Sequence, residues 1–313
     1  MARIVFMGTP DFSVSVLSAL IGADYEIVGV VTQPDRPVGR KRLLTPTPVK
    51  AAALEHGIPV FQPERIKEDY EQVLAWKPDL IITAAFGQII PKVLLDAPKH
   101  GCINVHASLL PQYRGGAPIH QAIIDGNSET GVTIMYMDVA MDTGDMISNV
   151  VVPIDEEDHT GRLFEKLSRA GAKLLIDTLP DLLAGKTQPV KQDESLATFA
   201  WNIKREQELI QWAKSAREVY NQVRGLHPWP VAFTALEDGT AVKVWWGKPT
   251  EKTYDAAPGT IVSVDKTGIG VVCGDKRAFL MTDLQLSGKK RMEAAAVLNG
   301  SHPFEIGKKL GEA

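Results

Sequence analysis

Cysteine is nearly absent from this 313-residue chain; only Cys102 and Cys273 occur, far apart in sequence. That count excludes a disulfide framework and any cysteine-based zinc spacing, and it suits a reducing compartment. Long apolar runs are missing too, since none approaches the ~18 residues of a membrane-spanning helix. Positive charge is not in surplus: 34 Lys and Arg face 38 Asp and Glu, for a formal net charge of -4. A uniformly basic nucleic-acid coat is thereby excluded, although local basic patches are not. Also lacking is the glycine-rich dinucleotide fingerprint, because Gly8 is followed by Thr9-Pro10-Asp11; this weighs against a dehydrogenase. The N-terminal residues run straight into a strand pattern without the apolar region of a signal peptide. A soluble, cytoplasmic protein with no membrane attachment is expected.

What is present is an α/β rhythm. At 44% hydrophobic residues the chain can bury a sizeable core, and its length suits two domains. Ile4 to Met7 reads as a strand, Phe12, Val16, Leu17 and Leu20 as one face of a helix, and Ile27 to Val31 as a second strand. A βαβ opening of this kind implies parallel strands and a Rossmann-like sheet. Further along, the pattern predicts a helix over 49–56, a short strand at Val60-Phe61 and a helix over 68–76. A fully apolar strand follows from Leu80 to Ala84, of the kind buried on both faces. Ile119 to Ile124 reads as a helix and Val132, Ile134 and Tyr136 as an alternating strand. Leu163, Leu167, Ala170 and Leu174 stripe a long helix.

The most informative stretch is Gly101 to Pro118. Cys102 to His106 has the period of a strand end, so Asn104 and His106 leave the same face. An amide and an imidazole side by side suit a developing oxyanion and a moving proton; equally, the pair can satisfy backbone groups at a buried strand end. Pro111, Gly115, Gly116 and Pro118 then shape an irregular loop, where open α/β sheets bind ligands. The acidic loop Asp138 to Asp145 also follows a strand. There Asp142 either fixes an imidazole's tautomer or caps its own turn.

Residues 33–50 carry four prolines, which speaks against a regular element. Arg36, Arg40, Lys41, Arg42 and Lys50 face one acid within the stretch, Asp35. It reads as a solvated surface loop or as a basic clamp on a phosphate-rich partner. Residues 186–207 lose the rhythm and read as a linker between a first domain, 1–185, and a second, 208–313. Ser215-x-x-Glu218 is a capping box opening a helix that ends near Gly225. Short strand-like runs with tight turns follow, suggesting a small antiparallel β-barrel of OB type. Lys289-Lys290-Arg291 and Lys308-Lys309 cluster near its end.

These residues resemble the 10-formyltetrahydrofolate-dependent formyltransferases over nearly the whole chain. The resemblance is carried by Asn104-x-His106-x-Ser108-Leu109-Leu110-Pro111-x-Tyr113-Arg114-Gly115 together with Asp142-Thr143-Gly144-Asp145. Gly8-Thr9-Pro10-Asp11-Phe12, Gln33-Pro34-Asp35-Arg36-Pro37-x-Gly39-Arg40 and the closing barrel narrow it to the branch acting on methionyl-tRNA. The resemblance implies a catalytic set of Asn104, His106 and Asp142. It implies a folate-binding segment at Ser108, Leu109, Leu110 and Pro111, with Phe86 and Gly87 in the pterin pocket. Arg40, Lys41 and Arg42 are the expected tRNA contacts. The implied reaction moves the formyl group of 10-formyltetrahydrofolate onto the amino group of initiator methionyl-tRNA, with no metal and a monomeric enzyme. A hydrolase releasing formate from the same donor is the alternative.

Overall fold

A computed structural model describes residues 2–39 and 42–311. The strands are β1 (Arg3–Gly8), β2 (Glu26–Val31), β3 (Arg36–Val38), β4 (Leu43–Thr45), β5 (Val60–Phe61), β6 (Leu80–Ala84), β7 (Cys102–His106), β8 (Glu129–Tyr136), β9 (Met146–Pro153), β10 (Phe233–Ala235), β11 (Ala241–Thr253), β12 (Ile261–Asp265), β13 (Gly268–Val272), β14 (Arg277–Leu286) and β15 (Met292–Glu293). The helices are α1 (Asp11–Gly22), α2 (Pro48–Glu55), α3 (Glu71–Ala75), α4 (Lys92–Asp96), α5 (Pro118–Ile124), α6 (Thr160–Leu183), α7 (Arg205–Glu208), α8 (Ala216–Gly225) and α9 (Ala294–Leu298). They form two compact units. One holds Met1–Pro118, Glu129–Pro153 and Phe164–Trp201; the other holds Ile119–Ser128, Ile154–Leu163 and Asn202–Ala313.

The first unit is built on a seven-stranded sheet of order β5-β2-β1-β6-β7-β8-β9. Strands β5, β2, β1, β6 and β7 pair in parallel, whereas β8 and β9 run antiparallel. The sheet is thus mostly parallel and Rossmann-like, with β1 and β6 at its centre. Every residue of β6 is buried, as expected of a strand covered on both faces. The strand is not wholly apolar, however, because Thr83 places a hydroxyl in it.

Strand β8 departs from the expected alternation, being buried from Thr130 through Met135. A helix lies close against it: a Cβ at Gly171 of α6 would sit 3.0 Å from Val105 and 3.2 Å from Val132. A glycine at this contact brings the helix tightly onto β7 and β8 and covers the face of β8 that carries Val132. The buried stripe of α6 is Leu163, Leu167, Leu175, Leu179 and Leu182. It turns by one position after Leu167, leaving Ala170 and Leu174 half-buried. Helix α3 is shorter than predicted, because residues 68 and 69 close a turn onto the Arg65 carbonyl instead. Strand β9, which sequence patterning passed over, is a half-exposed edge.

In the second unit the sheet runs β10-β11-β14-β13-β12, with β15 beside β14. It is antiparallel throughout, but it is no closed OB-type barrel as the strand spacing suggested. The edge strands β10 and β12 do not pair with each other. Residues 308–311 bridge them instead: Ile261 N–H donates to the Lys308 carbonyl at 2.8 Å, and Gly311 N–H to the Ala235 carbonyl at 3.0 Å. Helix α8 covers the sheet, placing Val219, Tyr220 and Val223 against Val244, Ile269, Phe279 and Met281. Its start is the capping box expected from sequence, with Ser215 and Glu218 reciprocally bonded.

Candidate active site

The site grows from the end of β7. Only Asn104 among that strand's residues is partly exposed. It lies in register with Thr83 on β6 and Met135 on β8. Thr83 Oγ1 donates to Asn104 Oδ1 at 2.8 Å. Because that oxygen accepts, the Asn104 amide nitrogen is turned away from Thr83 and keeps its two donors for another partner. Sequence reasoning missed Thr83. Its signal was a hydroxyl in an otherwise apolar buried strand.

His106 is buried, with 5% of its surface exposed. Its Nε2 lies 3.0 Å from the Tyr113 carbonyl. A carbonyl only accepts, so Nε2 carries a proton in either charge state and Nδ1 is the nitrogen that can change. Nδ1 lies 3.8 Å from Asp142 Oδ2. That is too long for a direct hydrogen bond, so the two groups are neighbours without a bond between them. Asp142 Oδ2 also accepts from the Gly115 N–H at 2.8 Å. Gly115 itself has φ +119°, and a Cβ there would come within 2.7 Å of the Ala200 carbonyl oxygen, so no other residue fits that turn.

Asp142 sits on the loop after β8 with φ +54°, a left-handed conformation that Asp tolerates better than most residues but that still costs energy. A side chain at Gly144 would run into the Tyr136 carbonyl. Gln192 holds this turn from outside, donating through Nε2 to the carbonyls of Asp142 at 2.7 Å and Gly144 at 2.8 Å. No sequence pattern pointed to Gln192, which lies in the stretch 186–207 expected to be a linker. Residues 198–200 of that stretch run alongside 111–117: Arg114 N–H donates to the Thr198 carbonyl and Ala200 N–H to the Arg114 carbonyl.

His106 and Asp142 thus approach each other at the carboxyl end of β7, with Asn104 two residues earlier on the same strand. The expected folate segment is a tight turn that follows the strand. Ser108 is fully buried and its hydroxyl donates to the Gln112 carbonyl at 2.6 Å. Thr133 donates to the Ser108 carbonyl and accepts from Leu110 N–H. Leu110 is buried, Leu109 and Pro111 half-buried, and the Leu110-Pro111 peptide is cis. The Phe86 ring belongs to the core around Val5, Met7 and Ile66, and its carbonyl accepts from Thr9 and Gln33. Gly87 beside it is exposed with φ +84°.

The basic stretch is more regular than its four prolines suggested. Strands β3 and β4 make a two-stranded ribbon with Pro37 opposite Leu44; both strands are edges, where a residue lacking N–H is tolerated. Its charge is also less bare than expected. Lys50 pairs with Asp35 at 2.6 Å, and this partner holds the Asp35 carboxyl below its ordinary value. Arg36 pairs at 2.6 Å with Glu64, from beyond the stretch. Arg42 is exposed, with φ +48° and no ion-pair partner among the described residues. Arg40 and Lys41 lie outside the described residues.

In the second unit a cavity of about 490 Å³ is lined by His159, Arg162, His227, Trp246 and Arg291, among others. Three cations (Arg162, Lys266, Arg291) meet three carboxylates (Glu157, Asp283, Glu293) around it. That balance does not make a phosphate cradle. Among the described residues, no group of three or more His, Cys, Asp or Glu is placed to hold a metal ion, and no helix is long and apolar enough to cross a membrane.

Comparison with known proteins fits this picture. The formyl transferase family profile matches residues 2–179, and the formyl transferase C-terminal domain profile matches residues 202–302. Together they define the class, a formyl transferase. The methionyl-tRNA formyltransferase of Bacillus cytotoxicus is 60% identical over 100% of this chain and 99% of its own length. That of Bacillus mycoides is 59% identical with the same coverage. The chain belongs to the methionyl-tRNA formyltransferase family. A hydrolase that releases formate finds no support among these relatives. The fold also matches an N-formyltransferase from Helicobacter canadensis solved with folinic acid and dTDP-3-aminofucose, at TM-score 0.67 and 18% identity, over 90% of this chain and 99% of that one. HypX from Aquifex aeolicus, solved with tetrahydrofolic acid, matches at TM-score 0.64 and 18% identity, over 95% of this chain and 47% of that one.

Proposed function

We propose that this chain transfers the formyl group of 10-formyltetrahydrofolate to the α-amino group of methionyl-tRNA, with Asn104, His106 and Asp142 as its catalytic residues. The donor is a substrate rather than a resident cofactor. The observation that carries the site assignment is the approach of Asp142 Oδ2 to His106 Nδ1, beside an Asn104 amide whose donors are kept free.

An α-amino group has an ordinary pKa of about 7.7–8.0, so its neutral form is available near neutral pH. The amine nitrogen attacks the formyl carbon, and the C=O electrons move onto oxygen. The resulting oxyanion is held by the Asn104 amide and by His106 when its Nδ1 is protonated. With Nε2 already bonded to Tyr113, Nδ1 is the ring position left for this. The Asp142 carboxylate provides the counter-ion for the imidazolium. As the oxyanion collapses, the bond from carbon to folate N10 breaks. The proton lost by the amine ends on N10, giving the formamide and tetrahydrofolate. Water or a small rotation must close the 3.8 Å gap for Asp142 to take part in that proton's path.

The division of labour is part of the same proposal: residues 1–185 for catalysis and 208–313 for tRNA, with 186–207 connecting them and also bracing the site through Gln192. So are the folate contacts at Ser108–Pro111, Phe86 and Gly87, the tRNA contacts at Arg40, Lys41 and Arg42, and a monomeric state in the cytoplasm. Since the Ser108 hydroxyl and the Phe86 ring are engaged within the fold, this segment would meet folate through backbone and Leu or Pro surfaces.

The deciding experiment is formyl incorporation from 10-formyltetrahydrofolate into charged initiator and elongator methionyl-tRNA. Formyl-methionine on the initiator is expected, and formate release without acyl transfer would sink the assignment. In the same assay Asn104→Ala should lose about 10²–10³ in single-turnover rate, the usual cost of one oxyanion donor. Arg42→Ala should raise the tRNA concentration needed by a few-fold and flatten its salt dependence.

A further inference from the structure

We infer that Gln192 and Arg114 are positioning residues that set the Asp142 carboxylate for formyl transfer. This rests on the reading of Asp142 as a catalytic residue. Among the described residues Arg114 is the largest fully buried side chain, 2% exposed, although it is cationic. Its guanidinium binds Glu194 through two bonds, of 2.9 and 2.7 Å, and its Nε and Nη2 both donate to Gln192 Oε1, at 3.1 and 2.8 Å. The interaction also holds the Glu194 carboxyl below its ordinary value.

A guanidinium has only donors, so it forces the oxygen of the Gln192 amide toward itself. The amide nitrogen must then face the opposite way. There it meets the Asp142 and Gly144 carbonyls, the two ends of the turn that carries the catalytic carboxylate. The order of control runs from Glu194 through Arg114 to Gln192 and on to the Asp142 turn. Arg114 acts a second time through its own loop. Its backbone is tied to Thr198 and Ala200, and the next residue, Gly115, donates its N–H to Asp142 Oδ2. The carboxylate is therefore gripped by its backbone and by its side chain, and both grips originate at residue 114. A turn held at φ +54° costs some energy, which such contacts offset. Nothing in the network touches the Asn104 amide.

Gln192→Glu tests this most sharply. It keeps an acceptor for Arg114 and replaces the nitrogen facing the two carbonyls with oxygen. The single-turnover rate with saturating donor and charged tRNA should fall about 10²-fold, the cost of a misplacement near 1 Å. KM for both substrates should stay within about twofold. Gln192→Ala is measured beside it, so that a folding failure of one variant leaves the other to decide. Each is also made in an Asp142→Asn background. If Gln192 acts through Asp142, its loss there should shrink to within about threefold. A loss of equal size in both backgrounds, or a change confined to KM, overturns the inference. Asp142→Asn with an undiminished rate would overturn the catalytic reading itself. A large loss from Asp142→Asn with none from either Gln192 variant would overturn the positioning role alone.

Discussion

His106 in the first unit and His227 in the second are fixed in the same way, by one ring nitrogen on a backbone carbonyl. For His106 it is Nε2 on Tyr113, at 3.0 Å; for His227 it is Nδ1 on Trp245, at 2.9 Å. What differs is the company of the other face. His106 has the Asp142 carboxylate beside its free nitrogen. His227 has the His159 ring 4.6 Å away and Trp246 at 5.4 Å. Burial pushes its pKa down to about 4, aided by His159 and, more weakly, Arg291. A carboxylate gives an imidazolium its counter-ion, whereas a second imidazole and a guanidinium oppose one. Anchoring a histidine is thus common to both places, and the two rings differ in the groups that surround them.

The largest effect that could break this contrast is on turnover. His106→Gln should lose about 10²–10⁴ in single-turnover formyl transfer, the range for a positioned acid–base group, while His227→Gln should change it by less than about twofold. Comparable losses in both would erase the distinction. The next effect is on stability. Since the folded-state value for His227 lies below the ordinary 6.5, the unfolded chain binds more protons between pH 6.5 and 4. Stability should therefore fall as pH drops through that window, by on the order of 2 kcal/mol after allowing for partial exposure. Denaturant titrations at pH 7 and pH 4.5 should show a smaller difference for His227→Gln than for the parent; an unchanged difference would refute the account. The smallest effect sharpens the first unit's side. Thr83→Val releases the Asn104 amide from its fixed orientation and should slow transfer about tenfold, given the net worth of a buried hydrogen bond. Rates within twofold of the parent would show that the amide needs no such support.

Legibility in the sequence followed how local each feature is. Strands β1, β2 and β6, helix α5 and the capping box of α8 all rest on residues adjacent in sequence, and all could be read directly. Asn104 and His106 were visible because a two-residue period puts them on one face. Asp142 stood out as an acid after a strand, although its meeting with His106 depends on β7 and β8 being neighbours. Thr83 left only a hydroxyl in an apolar run, and Gln192 and Glu194 left no trace at all. Their roles come from register across strands or from contacts spanning 78 and 80 residues, and single-sequence patterning carries no such information. Arg114 was part of the family motif and its number was known, yet its use was not. An arginine in a Gly- and Pro-rich loop looks like a surface cation until the fold buries it. The expected barrel failed for the opposite reason. Strand spacing alone does not say whether the first and last strands find each other.

Residues 308–311 stand in for that missing pairing, and this makes a short piece of chain a clasp on two strand edges at once. Were it removed, the backbone groups of Ala235, Gly259 and Ile261 that it now engages would lose their partners. Two unpaired edges on one sheet invite self-association. Shortening the protein from its C-terminal side should therefore leave a sheet that acts as a template for stacking copies of itself.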